Sequence, residues 1–210
     1  MAKTRTNAKT DAPGSAADLA ALISRAQADR NAGKDGLPSV ERWNPEYCGD
    51  IDMEIRADGT WFYMGTPIGR PALVRLFSTV LRRDEDGNTY LVTPVEKIGI
   101  RVVDAPFLAV EMTAGEDESG QVLTFRTNVG DVVSAGKDHP LRFERMGETD
   151  QLKPYILIRG RLEALVNRAV TYDLLALGGP VEINGEEMFA IRSGGEVFPV
   201  MPMAELEAGI

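Results

Sequence analysis

The chain has 210 residues and a mass of 22.9 kDa, enough for one large domain or two small ones, each with a core of its own. Hydrophobic residues make up 43% and charged residues 26%, a globular balance rather than that of a disordered or membrane-embedded chain. With 23 Lys plus Arg against 32 Asp plus Glu the net charge is −9, which repels nucleic-acid phosphate and anionic lipid; a single His and a single Cys exclude a disulfide framework, a zinc finger or any multi-Cys or multi-His cluster.

The charge is uneven. Residues 1–34 carry six basic and three acidic groups, so the rest of the chain is more acidic than the total suggests. Met1–Ser15 is polar and lacks apolar periodicity, which reads as a tail, and it lacks the apolar run of a secretory signal. No stretch approaches the roughly 18 apolar residues of a spanning helix. The expectation is a cytoplasmic protein with no membrane partner, in which Cys48 stays reduced.

Ser15-Ala-Ala-Asp18 reads as a capping box before Leu19, Leu22, Ile23 and Ala26 at helical spacing, with the helix stopping near Asn31-Ala-Gly33. Gly36-Leu-Pro38 then leads into an extended segment at Trp43-Asn44-Pro45. From Asp50 the period becomes two, with Ile51, Met53 and Ile55 on one face and Asp52, Glu54 and Arg56 on the other. Asp58-Gly59 turns this strand into a second, Thr60–Met64. After Gly65–Arg70, Pro71 opens a helix with an apolar stripe of Leu73, Leu76, Phe77, Val80 and Leu81. Strands Thr89–Thr93 and Ile98–Val102 follow the Asp86-Gly87-Asn88 turn. Phe107–Met112, Val122–Thr127, Leu141–Arg145 and Tyr155–Ile158 are strand-like, and a helix is expected from about Leu162 to Leu177. Asn184-Gly185 then turns into strands Glu186–Ile191 and Val197–Val200.

A strand–helix–hairpin order thus occurs twice, offset by roughly 92–98 residues, either as a duplication or as two unrelated units of similar order. The fold class read from this is α+β with two small domains. The divisions are a tail and helix over 1–34, an N-terminal domain over 35–103 and a C-terminal domain over 104–210.

The strongest local signal for chemistry is Gly65-Thr66-Pro67-Ile68-Gly69-Arg70, a strand-to-helix turn. Free N–H groups at the helix start, glycines that admit an anion closely and the fork of Arg70 suit a phosphate. Neither a Walker loop nor a dinucleotide fingerprint is present, and an ordinary turn has the same composition. Asp50 and Asp52 share a strand face, where two carboxylates can hold a hard cation or divide acid and base roles; Glu54 and Arg56 continue the row as a plain solvated face would. Thr93-Pro94-Val95-Glu96-Lys97 is either a ligand-facing loop or a simple hairpin end. No nucleophile elbow accompanies any serine, and His139 and Cys48 lack catalytic surroundings, so the sequence weighs against hydrolase chemistry.

Taken together, Trp43-Asn-Pro45, Cys48-Gly-Asp-Ile-Asp-Met53, Asp58–Arg70, Leu91-Val-Thr-Pro-Val-Glu-Lys97, Asp104-Ala-Pro-Phe107 and Thr127-Asn128 resemble a bacterial domain-of-unknown-function family, number 1285 in its series. The resemblance runs from about Gly36 to Val200 and is densest from Trp43 to Glu111. It implies a duplicated motif, a C-terminal part like a pleckstrin-homology barrel, and a nucleotide-type ligand site between two domains in a signalling or stress-response setting. The matched positions Trp43, Asp50, Thr66, Arg70, Thr93, Glu96, Lys97 and Asn128 are carried to that site, with Lys153 and Tyr155 as second-domain counterparts.

The resulting expectation is a non-catalytic sensor or regulatory module that binds a small anionic, nucleotide-like ligand, with no nucleic-acid partner and its cofactors unknown. Arg70 would hold phosphate, an exposed Trp or Tyr would stack a base, and Asn128 and Glu96 would read polar edges. The alternatives are a metal-dependent phosphoester hydrolase using Asp50 and Asp52, and an adaptor that docks a protein partner.

Overall fold

The computed structural model describes residues 15–28, 37–146 and 151–208, and divides the chain into two compact units. The first unit is 1–104 with 160–162, and the second is 105–159 with 163–210. The expected end of the first helix at Asn31-Ala-Gly33, like the tail before Ser15, lies outside the described residues.

The first unit opens with α1 (Ala16–Ala28). Its start is the capping box read from the sequence: the Asp18 amide donates to Ser15 Oγ at 3.2 Å, and the Ser15 hydroxyl donates to the Asp18 carboxylate at 2.7 Å. A 3-10 turn, Val40–Arg42, precedes β1 (Tyr47–Ile55), β2 (Trp61–Tyr63) and β3 (Thr66–Pro67). Then come α2 (Pro71–Thr79), β4 (Leu81–Arg83), β5 (Thr89–Val92) and β6 (Lys97–Val102).

These strands form one sheet in the order β3-β2-β1-β6-β5-β4, antiparallel except for the parallel pair β1–β6. Period two decides its faces. Met53, Ile55, Trp61, Tyr63, Leu81 and Leu91 are buried on one side, where Trp61 stacks on Phe77 of α2 at 6.3 Å. α1 packs against α2 through Leu19, Ala20 and Ile23. The apolar stripe expected to carry the helix through Leu81 is cut short. Val80 caps α2, and Leu81 begins a strand that pairs with Leu91.

The second unit holds β7 (Phe107–Asp117), β8 (Gly120–Thr127), β9 (Val132–Ser134), β10 (Leu141–Met146), β11 (Gln151–Arg159) and β12 (Leu162–Val166) in a sheet ordered β10-β11-β12-β7-β8-β9. β12 runs parallel to β7; β10–β11, β7–β8 and β8–β9 are antiparallel. α3 (Arg168–Ala176) leads to a three-stranded meander of β13 (Gly179–Ile183), β14 (Glu186–Ser193) and β15 (Glu196–Pro202), followed by α4 (Met203–Ala208).

The helix expected from Leu162 is corrected here. Leu162, Ala164 and Val166 are buried at every second position, so five residues are strand, and Asn167 caps α3 by accepting the Val170 amide at 2.8 Å. Ser193 joins the two sheets. Its buried hydroxyl donates to the Ala135 carbonyl at 2.7 Å and accepts the Leu123 amide at 2.9 Å.

In both units a hairpin, a nine-residue helix and a three-stranded meander follow in order, with the helices beginning at Pro71 and Arg168. The pairing differs. In the first unit the meander joins the hairpin through β1–β6, whereas in the second it forms a sheet of its own and the hairpin strand β12 joins β7. The barrel expected for the C-terminal part is not found closed. Among the described residues the second unit is an open six-stranded sheet with β9 and β10 at its edges, and a separate three-stranded sheet. Among the described residues the chain is mostly β with few helices, and the two-domain arrangement expected fits its division into two units. Among the described residues no helix is long and apolar enough to cross a membrane.

Candidate functional site

The face of the first sheet away from its core is polar. Strand register aligns Arg82 of β4 with Tyr90 of β5, Tyr90 with Gly99 of β6, and Gly99 with Asp50 of β1. Side chains directly opposite in a sheet share a face, so these four make a row across it. Two bulges in β1, one beside Gly49 at φ 100°, set the register that brings Asp50 to Gly99.

Contacts along the row are dense. The Tyr47 hydroxyl donates to Asp50 Oδ1 at 2.7 Å, and the Tyr47 ring meets Tyr90 edge-on at 6.0 Å. Lys97 Nζ lies 4.3 Å from the Tyr90 ring centre and 2.9 Å from Asp84 Oδ2. Arg82, nearly buried, donates from Nε to Asp84 Oδ1 at 2.6 Å, and from Nη1 to the carbonyls of Val40 at 2.9 Å and Trp43 at 2.6 Å. Burial alone would push the Asp84 carboxyl up, but the hydrogen bonds and charges of Arg82 and Lys97 outweigh it and hold the group below its ordinary value. The Tyr90 hydroxyl donates to Asp86 Oδ2 at 2.6 Å, which draws Asp86 down to about 2 and, with burial, pushes Tyr90 up to about 12. This network ties the 40–43 segment to β4, while the ring of Tyr47 and the carboxylate of Asp50 remain exposed.

Of the residues read from the sequence, Asp50, Lys97 and the Trp43 carbonyl meet in this network. Thr93 and Glu96 sit in the turn just before Lys97. Buried Thr93 Oγ1 accepts the Glu96 amide at 3.1 Å, and the Thr93 amide donates back to the Glu96 carbonyl at 2.9 Å, so the threonine shapes the turn. Thr66 and Arg70 lie elsewhere, Thr66 on the outermost strand beyond β2 and Arg70 at the start of α2; both are exposed. Arg70 makes no side-chain bond or ion pair among the described residues. The helix it precedes has Pro71 in its first turn and no acidic residue there.

In the second unit, Asn128 is bound to β7: its Oδ1 accepts the Leu108 amide at 3.1 Å and its amide donates to the Leu108 carbonyl at 2.8 Å. Lys153 and Tyr155 stand on β11 opposite Glu144 and Arg142. Arg142 covers the buried Tyr155 ring at 4.1 Å and forks onto Glu163 with bonds of 2.8 and 2.7 Å.

Sequence reasoning missed Arg82, Asp84, Asp86 and Tyr90 as members of a site. Their signal was present in the period-two alternation of β5, which sets Tyr90 opposite in face to Leu91, and in the Asp84–Asn88 turn, read only as punctuation. Among the described residues no group of three or more His, Cys, Asp and Glu side chains gathers as a metal site would require.

The open sheets and the polar row define a two-unit, mostly β protein. Two family models match it, "Domain of unknown function (DUF1285), N-terminal domain" over residues 38–105 and "Protein of unknown function (DUF1285), C-terminal domain" over 106–200. The chain belongs to the DUF1285 family. A crystal structure of a DUF1285 family protein from Silicibacter pomeroyi DSS-3 is 48% identical, with a TM-score of 0.76, covering 89% of this chain and 97% of that one. Another from Shewanella baltica OS155 is 25% identical, with a TM-score of 0.47, covering 59% of this chain and 90% of that one. Among curated proteins none matches.

Proposed function

We propose that the protein is a non-catalytic regulatory module, cytoplasmic and in a signalling role, that takes a small anionic, nucleotide-like ligand at the Gly65–Arg70 turn. The observation that carries this reading is Arg70, exposed and without a side-chain partner among the described residues at the start of a helix whose first turn holds no carboxylate. Among the described residues, no first-turn carboxylate faces the positive pole of the helix and no side chain pairs with the guanidinium. The surrounding chain agrees, since residues 59–83 contain four arginines and no Asp or Glu in a protein of net charge −9. Thr66, exposed on β3, adds a hydroxyl.

The hydrolase alternative has less behind it. Asp50 accepts the Tyr47 hydroxyl and lies against Gly99, which occupies one of the two carboxylates that chemistry needs. A thermal-shift panel of nucleoside mono-, di- and triphosphates tests the reading. A rise in melting temperature that disappears in Arg70→Ala supports it, and no rise from any nucleotide at about 1 mM overturns it.

A further inference from the structure

The second unit contains a groove of about 310 Å³ between the β13–β14 edge of the small sheet and the start of β8. It exists because side chains are missing. Gly179 faces Ala190 across β13–β14, and a Cβ on Gly179 would meet nothing within 4 Å. Beside it, Gly178 lets the Phe189 ring pack against the backbone, its Cε1 only 2.9 Å from where a Cβ would stand.

The lining is apolar along Leu177, Pro180, Val181 and Ala190, and polar at two points, Gln121 and Arg192. Gln121 Nε2 donates to the Arg192 carbonyl at 2.7 Å, which fixes the backbone there. The Arg192 guanidinium is exposed and has no partner among the described residues. An aliphatic trough ending in one unpaired cation is complementary to an anion of one charge with an aliphatic body. The lining offers no aromatic side chain for a base to stack on. It is also poorly suited to an added peptide strand, because Pro180 removes a backbone donor from β13, the edge strand of its sheet.

We propose that this groove binds a medium-chain monocarboxylate, its carboxylate on Arg192 and its chain along Leu177, Pro180, Val181 and Ala190. The site is separate from the turn at Arg70 and does not depend on it. Titration of the full chain with octanoate, followed by amide chemical shifts in NMR, is the test. Saturable shifts centred on Gly178–Val181 are expected, with half-saturation at about 1 mM. Arg192→Gln weakens binding about tenfold, and octan-1-ol binds about tenfold more weakly than octanoate. Gly179→Leu fills the groove and abolishes the shifts, with a melting temperature no lower than wild type. The proposal is overturned if octanoate gives no saturable shift up to about 10 mM, if octan-1-ol binds equally well, or if Gly179→Leu still binds while folded.

Discussion

Asp50 lies over Gly99 across the parallel β1–β6 pair, so closely that a Cβ on Gly99 would overlap Asp50 Oδ1 and stand 3.0 Å from its Cγ. Tyr47, hydrogen-bonded to the same carboxylate, comes within 3.7 Å of that point. Gly99→Ala therefore has to swing the exposed carboxylate aside and break its bond to Tyr47, and should lower unfolding free energy by about 0.5–1.5 kcal/mol. Asp50→Ala in the Gly99→Ala background should recover most of that loss in denaturant titrations. Strict additivity of the two substitutions would show that the overlap does not set the cost.

Arg82 joins β4 to the carbonyls of Val40 and Trp43 as well as to Asp84. Arg82→Met keeps the bulk but leaves two carbonyls without their donor and Asp84 with Lys97 as its remaining ion-pair partner, a loss of about 2–4 kcal/mol. Arg82→Lys should not restore it, because an ammonium lacks the planar fork that reaches all three acceptors. The readout specific to this role is Trp43 fluorescence, which should shift to the red in both variants while the protein is still folded, as the 40–43 segment loosens. An unchanged emission maximum in folded Arg82→Met would refute the tether.

The Tyr90–Asp86 bond requires an ionised carboxylate and a protonated phenol. The Asp86 value falls from 3.8 to about 2 on folding, so its stabilisation is complete above 3.8 and fades as pH drops through about 2. The Tyr90 value rises from 10.0 to about 12, so its contribution is complete below 10.0 and is lost as pH climbs through about 12. Tyr90→Phe should flatten both limbs of the stability–pH profile and lower the plateau between them. Limbs identical to wild type would assign the pH dependence to other groups.

Local pattern was legible where one face of an element is buried and the other wet. The capping box at Ser15, the alternation of β1 and the Asn184-Gly185 turn, with positive φ at both positions, all follow from nearest neighbours. Leu162–Val166 misled because Leu162, Val166, Ala169 and Val170 also fit helical spacing, and only the cap at Asn167 separates strand from helix. The pairing order of the C-terminal strands, an open sheet rather than a barrel, was not legible, since it depends on which strand β12 meets, and that partner lies more than fifty residues earlier in the chain. The candidate site was legible in part for the same reason. Asp50 stood out on a strand face and Lys97 in the charged loop that follows Thr93, but their neighbours Arg82 and Tyr90 are brought in by β4–β5 and β5–β6 pairing, which no local motif announces.

Each unit is completed by one parallel pair, β1 with β6 and β7 with β12, while the other recorded strand partners are antiparallel. Hairpins and meanders close short loops and form early, but a parallel partner has to be fetched over a long intervening segment. In the first unit, the β1–β2 hairpin and the β4–β6 meander can each form alone, and the join of Asp50 to Gly99 is the last large loop to close. That makes the contact of Asp50 with the rest of the polar row a latecomer in folding. Substitutions at Asp50 and Gly99 should act chiefly on the unfolding rate, leaving the folding rate set by the local pieces.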